Sequence, residues 1–143
     1  MFFGEYAHQL DAKFRMRMPS QYKSEFDGRY AFCLEQEDTL SVYPVKEIEE
    51  KCALLKSLAP FDEEVDELYS DYASGVHIVA EDPQGRIVIP AELRKDADLG
   101  KNIVIYAARD HVCITSKERR DERKKVTNRR DLTRRISELL KNR

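Results

Sequence analysis

One frame of charges, apolar residues and a proline occurs twice in this chain at a fixed offset, and that offset restricts the fold more than any other feature. Leu10-Asp11-Ala12-Lys13-Phe14-Arg15-Met16-Arg17-Met18-Pro19 returns 71 positions later as Glu81-Asp82-Pro83-Gln84-Gly85-Arg86-Ile87-Val88-Ile89-Pro90. Both read Asp-x-x-x-Arg, then apolar-x-apolar-Pro. In the same step Gly4 lies over Gly75, and basic Lys23 over basic Arg94. With 36% of residues charged, a single Asp-x-x-x-Arg is cheap. A third, Asp131 to Arg135, stands in a helical pattern and reads as an intrahelical ion pair of about 0.2–0.5 kcal/mol. The first two differ because proline, glycine and apolar positions keep step with the charges, which marks a tandem repeat. A chain of 143 residues suits one compact domain, so two half-length units have to share a core.

Each unit reads strand, loop, strand, helical turn, strand, strand. In the first, Glu5 to Leu10 and Phe14 to Met18 alternate polar and apolar residues around a short loop, which predicts two strands with a tight connection. Val76 to Ala80 and Arg86 to Ile89 repeat the pattern, with Pro83 and Gly85 as turn residues. Pro19 and Pro90 open short helical runs, to Phe26 and to Lys95, where a proline loses no needed donor. Two further strands follow in each unit: Tyr30 to Leu34 with Leu40 to Tyr43, and Ile103 to Ala107 with Val112 to Thr115.

Helix follows both units. Val45, Ile48, Cys52, Leu55 and Leu58 recur at helical spacing, Pro60 interrupts, and Phe61, Val65, Leu68, Tyr69 and Tyr72 resume. These stripes are expected to pack on the sheets or on a neighbouring subunit. Lys117 to Lys141 has helix-forming composition, but apolar spacing begins only at Leu132, so the stretch from Glu118 to Arg130 is expected to be solvated or to await a partner. The division expected is residues 1–44 for the first unit, 45–73 for a helical connector, 74–116 for the second unit and 117–143 for a basic helix or tail.

Net charge is −2, unevenly spread. From Lys117 to Arg143 there are twelve Lys/Arg against five Asp/Glu, a surplus of +7; the remainder holds thirteen against twenty-two, or −9. A polyanion therefore has to meet local basic points, since the body as a whole repels it. No apolar run is long enough for a membrane span, and the charged opening does not suit a signal peptide, so a soluble protein that stays where it is made is expected. Cys33, Cys52 and Cys113 form no CxxC, and His8, His77 and His111 lack ligand spacing, so neither a disulfide framework nor a metal site is expected. No nucleophile–base pair or glycine-rich phosphate cradle is visible; neither an enzyme, nor a cofactor, nor a small-molecule substrate is indicated.

An arginine at the base of a short loop, present twice in register, suits a phosphate or a guanine edge, because the guanidinium fork matches both bidentately. The aspartate four residues earlier repels DNA, so its task is to brace the loop and aim the arginine. The plainer reading is a hairpin ion pair worth about 0–1 kcal/mol.

The two frames, the opening Met1-Phe2-Phe3-Gly4-Glu5-Tyr6 and Leu40-Ser41-Val42-Tyr43-Pro44 resemble the MraZ family, bacterial proteins with two SpoVT-AbrB-type units. The resemblance spans residues 1 to about 116. It implies an α+β fold, namely a tandem-repeat swapped-hairpin β-barrel in which the units form an intrachain pseudo-dimer flanked by helices. It also implies a ring-shaped homo-oligomer and sequence-specific binding of double-stranded DNA at repeated promoter boxes, ahead of the division and cell-wall gene cluster. Location in the cytoplasm, on the nucleoid, goes with that role. The loops would face DNA, with Lys13, Arg15, Arg17 and Arg86 as contacts and Asp11 and Asp82 as braces. Two positions depart from the family pattern: Phe14 stands where glycine is usual, and Gln84 where lysine is usual. A bulky residue is strained at positive φ, so either the first loop takes another shape or Phe14 presents its ring to a partner. Two other classes remain open on the residues alone: an oligomeric assembly or adaptor protein, and an RNA binder using the basic tail.

Overall fold

Four of the six strand pairings in this protein run between the two units. The computed structural model describes residues 1–143. The first unit comprises β1 (Glu5–Gln9), β2 (Arg15–Met16), α1 (Ser20–Lys23), β3 (Arg29–Gln36) and β4 (Thr39–Pro44). Helices α2 (Val45–Ser57) and α3 (Glu63–Ser74) follow. The second unit repeats the order with β5 (His77–Ala80), β6 (Ile87–Val88), α4 (Ala91–Asp96), β7 (Asn102–Ala107) and β8 (Val112–Ser116), and the chain closes with α5 (Lys117–Lys125) and α6 (Arg129–Lys141).

The six longer strands form one antiparallel sheet in the order β1-β7-β8-β4-β3-β5, and β2 pairs with β6 in a separate ribbon. Only β3–β4 and β7–β8 pair within a unit. The first strand of each unit lies on the third strand of the other: Tyr6 faces Ile105, and Val79 faces Tyr30. Alternation around the loop predicts two strands with a tight connection, and β1 and β2 meet each other only at the loop neck, where the Asp11 amide donates to the Arg15 carbonyl. Beyond the neck they diverge to different partners, because both have better edges available in the other unit. The sheet ends at β1 and β5 without closing, so the expected barrel is an open sheet with a two-stranded ribbon laid over one face.

Alternation along the strands sorts the side chains into two layers. Tyr30, Phe32, Leu40, Val42, Ile103, Ile105, Val112 and Ile114 point to the larger core, where they meet Met16, Met18, Ile87 and Ile89 of the ribbon and Tyr22 and Leu93 of the short helices. Ala31, Cys33 and Tyr43 point the other way and receive Val45 and Ile48 of α2. Both short helices start directly after their prolines, which stand at the N-cap rather than at the first helical position, and α1 stops at Lys23 rather than reaching Phe26. The connector is two helices broken at Leu58 to Asp62, where the Asp62 carboxylate caps α3 by accepting from the amides of Glu64 and Val65. Their stripes are only partly covered: Leu54, Leu58 and Leu68 remain exposed.

The tail departs from expectation in one respect. It is two helices, since Val126 to Asn128 interrupt it and the Asn128 side chain caps α6 through the Asp131 amide. Helix α5 is solvated, as expected, except at Arg120, and is also tied to the body by charges. Arg120 and Lys124 both hold Glu5 on β1, Arg119 lies 2.9 Å from Asp38, and the Arg120 guanidinium covers the Tyr106 ring at 3.9 Å. A helix with nothing apolar to bury is fastened here by charges on the body. No helix is long and apolar enough to cross a membrane.

Because four strand pairings cross between the units, cutting the connector should not separate them. A protease site placed at Ala59 to Phe61, in the exposed α2–α3 turn, is expected to yield a nicked protein that elutes and unfolds as one species. Dissociation of the fragments without denaturant would contradict the pairing.

Candidate nucleic-acid interface

The two Asp-x-x-x-Arg segments fold into the same loop. In the first, Asp11 Oδ1 accepts from the amides of Lys13 and Arg15, both at 2.9 Å, while Oδ2 accepts from Arg15 Nε at 2.8 Å. In the second, Asp82 Oδ1 accepts from the amides of Gln84 at 2.8 Å and Arg86 at 2.9 Å, and Oδ2 from Arg86 Nε at 2.9 Å. A reverse turn closes each, Phe14 amide to Asp11 carbonyl and Gly85 amide to Asp82 carbonyl, both 2.9 Å. One carboxylate thus takes three donors, fixing the loop and the arginine together. Only Nε of each guanidinium is used, so the terminal Nη groups keep their donors for a ligand.

Both carboxyls are held below their ordinary value of 3.8. The backbone amide of the arginine is the main cause in each loop, with the guanidinium and the second amide adding to it and partial desolvation opposing. The braces are therefore ionised at neutral pH.

Phe14 keeps the loop's shape. Its φ is +60°, next to +77° for Gly85, so of the two alternatives read from the sequence the altered loop is excluded. The ring is half exposed, and the Arg94 guanidinium lies 3.4 Å from its centroid. At the matching place in the other loop, Lys23 Nζ comes within 3.2 Å of where a side chain on Gly85 would begin. Each loop therefore has beside it a basic residue from the helix of the opposite unit.

The ribbon sets the two loops at its two ends, with Arg15 opposite Val88 and Met16 opposite Ile87. Lys13 and Arg17 are exposed, and Arg15 and Arg86 are partly so. Arg17 Nε donates to the Gln84 carbonyl at 3.3 Å, which ties the first unit to the second loop. Lys23 also lies 3.6 Å from Glu81, whereas Arg94 has no carboxylate partner, since Leu10 occupies the position matching Glu81. Reading the sequence for candidate contacts leaves out Lys23 and Arg94. Their match at the 71-residue offset was the available signal; that each reaches across depends on strand exchange, which spacing does not reveal.

No three His, Cys, Asp or Glu side chains gather to hold a metal. His111 is engaged elsewhere, stacked on Tyr43 at 4.1 Å with Nδ1 2.8 Å from Asp110.

A family model described as "MraZ protein, putative antitoxin-like" matches residues 73–125. Proteins called transcriptional regulator MraZ are similar over most of the chain. That of Lachnoclostridium phytofermentans is 36% identical over 119 residues, covering 83% of this chain and 84% of its own. That of Dictyoglomus turgidum is 32% identical with 99% of both chains covered, and that of Clostridium tetani is 32% identical over 125 residues.

Replacing both braces, Asp11→Asn with Asp82→Asn, should lower the unfolding free energy in a pH-dependent way. A carboxyl with a lowered folded pKa stabilises the fold above its unfolded value and ceases to do so as pH falls through the folded one. The gap between wild type and variant in urea titrations should be constant from neutral pH to about pH 5 and close below 3.8. A gap that persists undiminished at low pH would deny the carboxylates this role.

Proposed function

The chain belongs to the MraZ family of transcriptional regulators, and on that footing we propose that it binds double-stranded DNA sequence-specifically through its paired Asp-x-x-x-Arg loops. The family is one of regulators and not of enzymes. The observation that carries the reading is the repeated three-donor grip of Asp11 and Asp82, which leaves two arginines aimed alike with their Nη groups unspent. In this reading Lys13, Arg15, Arg17 and Arg86 contact DNA, and Asp11 and Asp82 brace the loops without touching it. The targets are repeated promoter boxes ahead of the division and cell-wall gene cluster, and the protein acts in the cytoplasm on the nucleoid. Pairing of β1 with β7 and β3 with β5 supports treating residues 1–44 and 74–116 as a swapped-hairpin pseudo-dimer, with 45–73 and 117–143 as helical additions.

A few basic side chains bind weakly: each phosphate neutralised adds only about 0.9 to the salt slope. We place the remaining affinity in self-association, as a ring that repeats the loops along the duplex and raises their effective concentration. Two surfaces support this. Leu132, Ile136, Leu139 and Leu140 form an exposed stripe on α6. Leu54, Leu58 and Leu68 are exposed on α2 and α3, where α3 carries five carboxylates and no cation. A basic amphipathic helix and an acidic, partly apolar one are suited to meet between copies.

Arg15→Ala with Arg86→Ala should cost about 1–3 kcal/mol of specific binding per base-reading arginine, with the fold intact. Fluorescence anisotropy with the protein's own upstream promoter duplex and a scrambled duplex, at two salt concentrations, measures it. Equal binding by wild type and variant would move the function to the tail or to protein partners. Ile136→Asp with Leu139→Asp should yield a smaller species in sedimentation and at least about tenfold weaker DNA binding. An obligate monomer that binds promoter DNA as tightly as the assembly would remove the avidity argument.

A further inference from the structure

We propose that Phe14 is a positioning residue for DNA binding: its ring holds the guanidinium of Arg94, supplied by the opposite unit, over the first loop as a third cation beside Lys13 and Arg15. The inference rests on the reading of the loops as the DNA-contacting surface and adds to it a side chain that bears no charge.

Strain is the first observation. A bulky L-residue at φ +60° is uncommon, and the equivalent position of the other loop is glycine at φ +77°. Both loops close with the same hydrogen bonds, so the backbone does not need a phenyl ring there. The ring is not buried in the core, since it is 44% exposed. A side chain that is conformationally costly, half in solvent and unnecessary to the turn calls for a contact of another kind.

That contact is Arg94. Its guanidinium stacks on the ring at 3.4 Å, a cation–π arrangement, and no carboxylate neutralises it. The corresponding Lys23 has a different situation: Gly85 offers no ring, and Glu81 lies 3.6 Å away. Loop one therefore presents Lys13, Arg15 and an oriented, uncompensated Arg94, whereas loop two presents Arg86, Arg17 held by the Gln84 carbonyl, and a lysine beside a carboxylate. The loops are alike in backbone and unlike in how the cation from the opposite helix is held: on the Phe14 ring at loop one, beside the Glu81 carboxylate at loop two. A free arginine side chain would lose rotamer entropy on meeting a phosphate; one already laid on a ring loses less.

The test is a double-mutant cycle on DNA affinity with the promoter duplex, using Phe14→Leu, Arg94→Gln and their combination, with Phe14→Tyr as the conservative variant. Phe14→Leu and Arg94→Gln should each weaken binding about threefold to tenfold. The combination should be no weaker than Arg94→Gln alone, and Phe14→Tyr should bind as wild type. Arg94→Gln and Phe14→Leu should both lower the salt slope by up to about 0.9. Full additivity, or a Phe14→Leu effect that persists in the Arg94→Gln background, would show that the ring acts on Arg15 or on the loop and overturn the proposal. So would wild-type affinity in Phe14→Leu. Urea midpoints of all four proteins separate lost binding from lost folding. Failure of the underlying reading looks different, since the Arg15/Arg86 double alanine variant would then keep wild-type, salt-sensitive binding. The stacking itself is read without DNA: Arg94 side-chain protons should carry a ring-current shift that Phe14→Tyr keeps and Phe14→Leu abolishes, and its absence in wild type would overturn the proposal.

Discussion

A short strand with no neighbour leaves a row of amides and carbonyls that must find partners, and neither unit of this protein can supply them for its own first two strands. β1 and β2 separate at the neck of the loop and finish their hydrogen bonding on β7 and β6; β5 does so on β3. The rest of the arrangement follows from this need. It joins Tyr30, Phe32, Ile103 and Ile105 from both units in one core, and it lays the ribbon of Met16 and Ile87 over that core. It also brings each short helix beside the loop of the other unit, so that Arg94 meets Phe14 and Lys23 meets Gly85.

The loops themselves need little from the rest of the protein. An aspartate that accepts two amides and one guanidinium Nε is a local structure, complete within five residues. This independence lets the same loop form with Phe14 or Gly85 at its left-handed position, although the two residues differ greatly in what that conformation costs. Local electrostatics fixes the arginine, and tertiary structure decides only what stands beside it.

What could be read in advance divides along the same line. Repeat, loops, proline-initiated turns and the break near Pro60 are properties of nearest neighbours and periodicity, and all are legible in the residues. Pairing partners are not, because alternation in Glu5 to Leu10 says that one face is buried and is silent about which edge it meets. The expected barrel was therefore the wrong geometry for correct strands, since the sheet stays open at β1 and β5. The ionic attachment of the solvated helix α5 escaped notice for a related reason: hydrophobic periodicity detects apolar contacts only, and α5 is attached through Arg119, Arg120 and Lys124. Arg94 was visible as a basic residue in register with Lys23 and could be recognised as part of the first loop only once the helices were seen to have changed sides.

Joining the units in one polypeptide has a consequence for direction. Two identical copies related by a two-fold axis present the same face whichever way round they are set down, and the symmetry of such a reader is mirrored in a palindromic site. Here the positions that match across the offset have diverged, Lys13 against Gln84, Phe14 against Gly85, Arg17 against Val88 and Leu10 against Glu81. The pair has a head and a tail. On the proposed reading, the two loops would therefore meet a double helix with different side chains, giving the bound protein a direction.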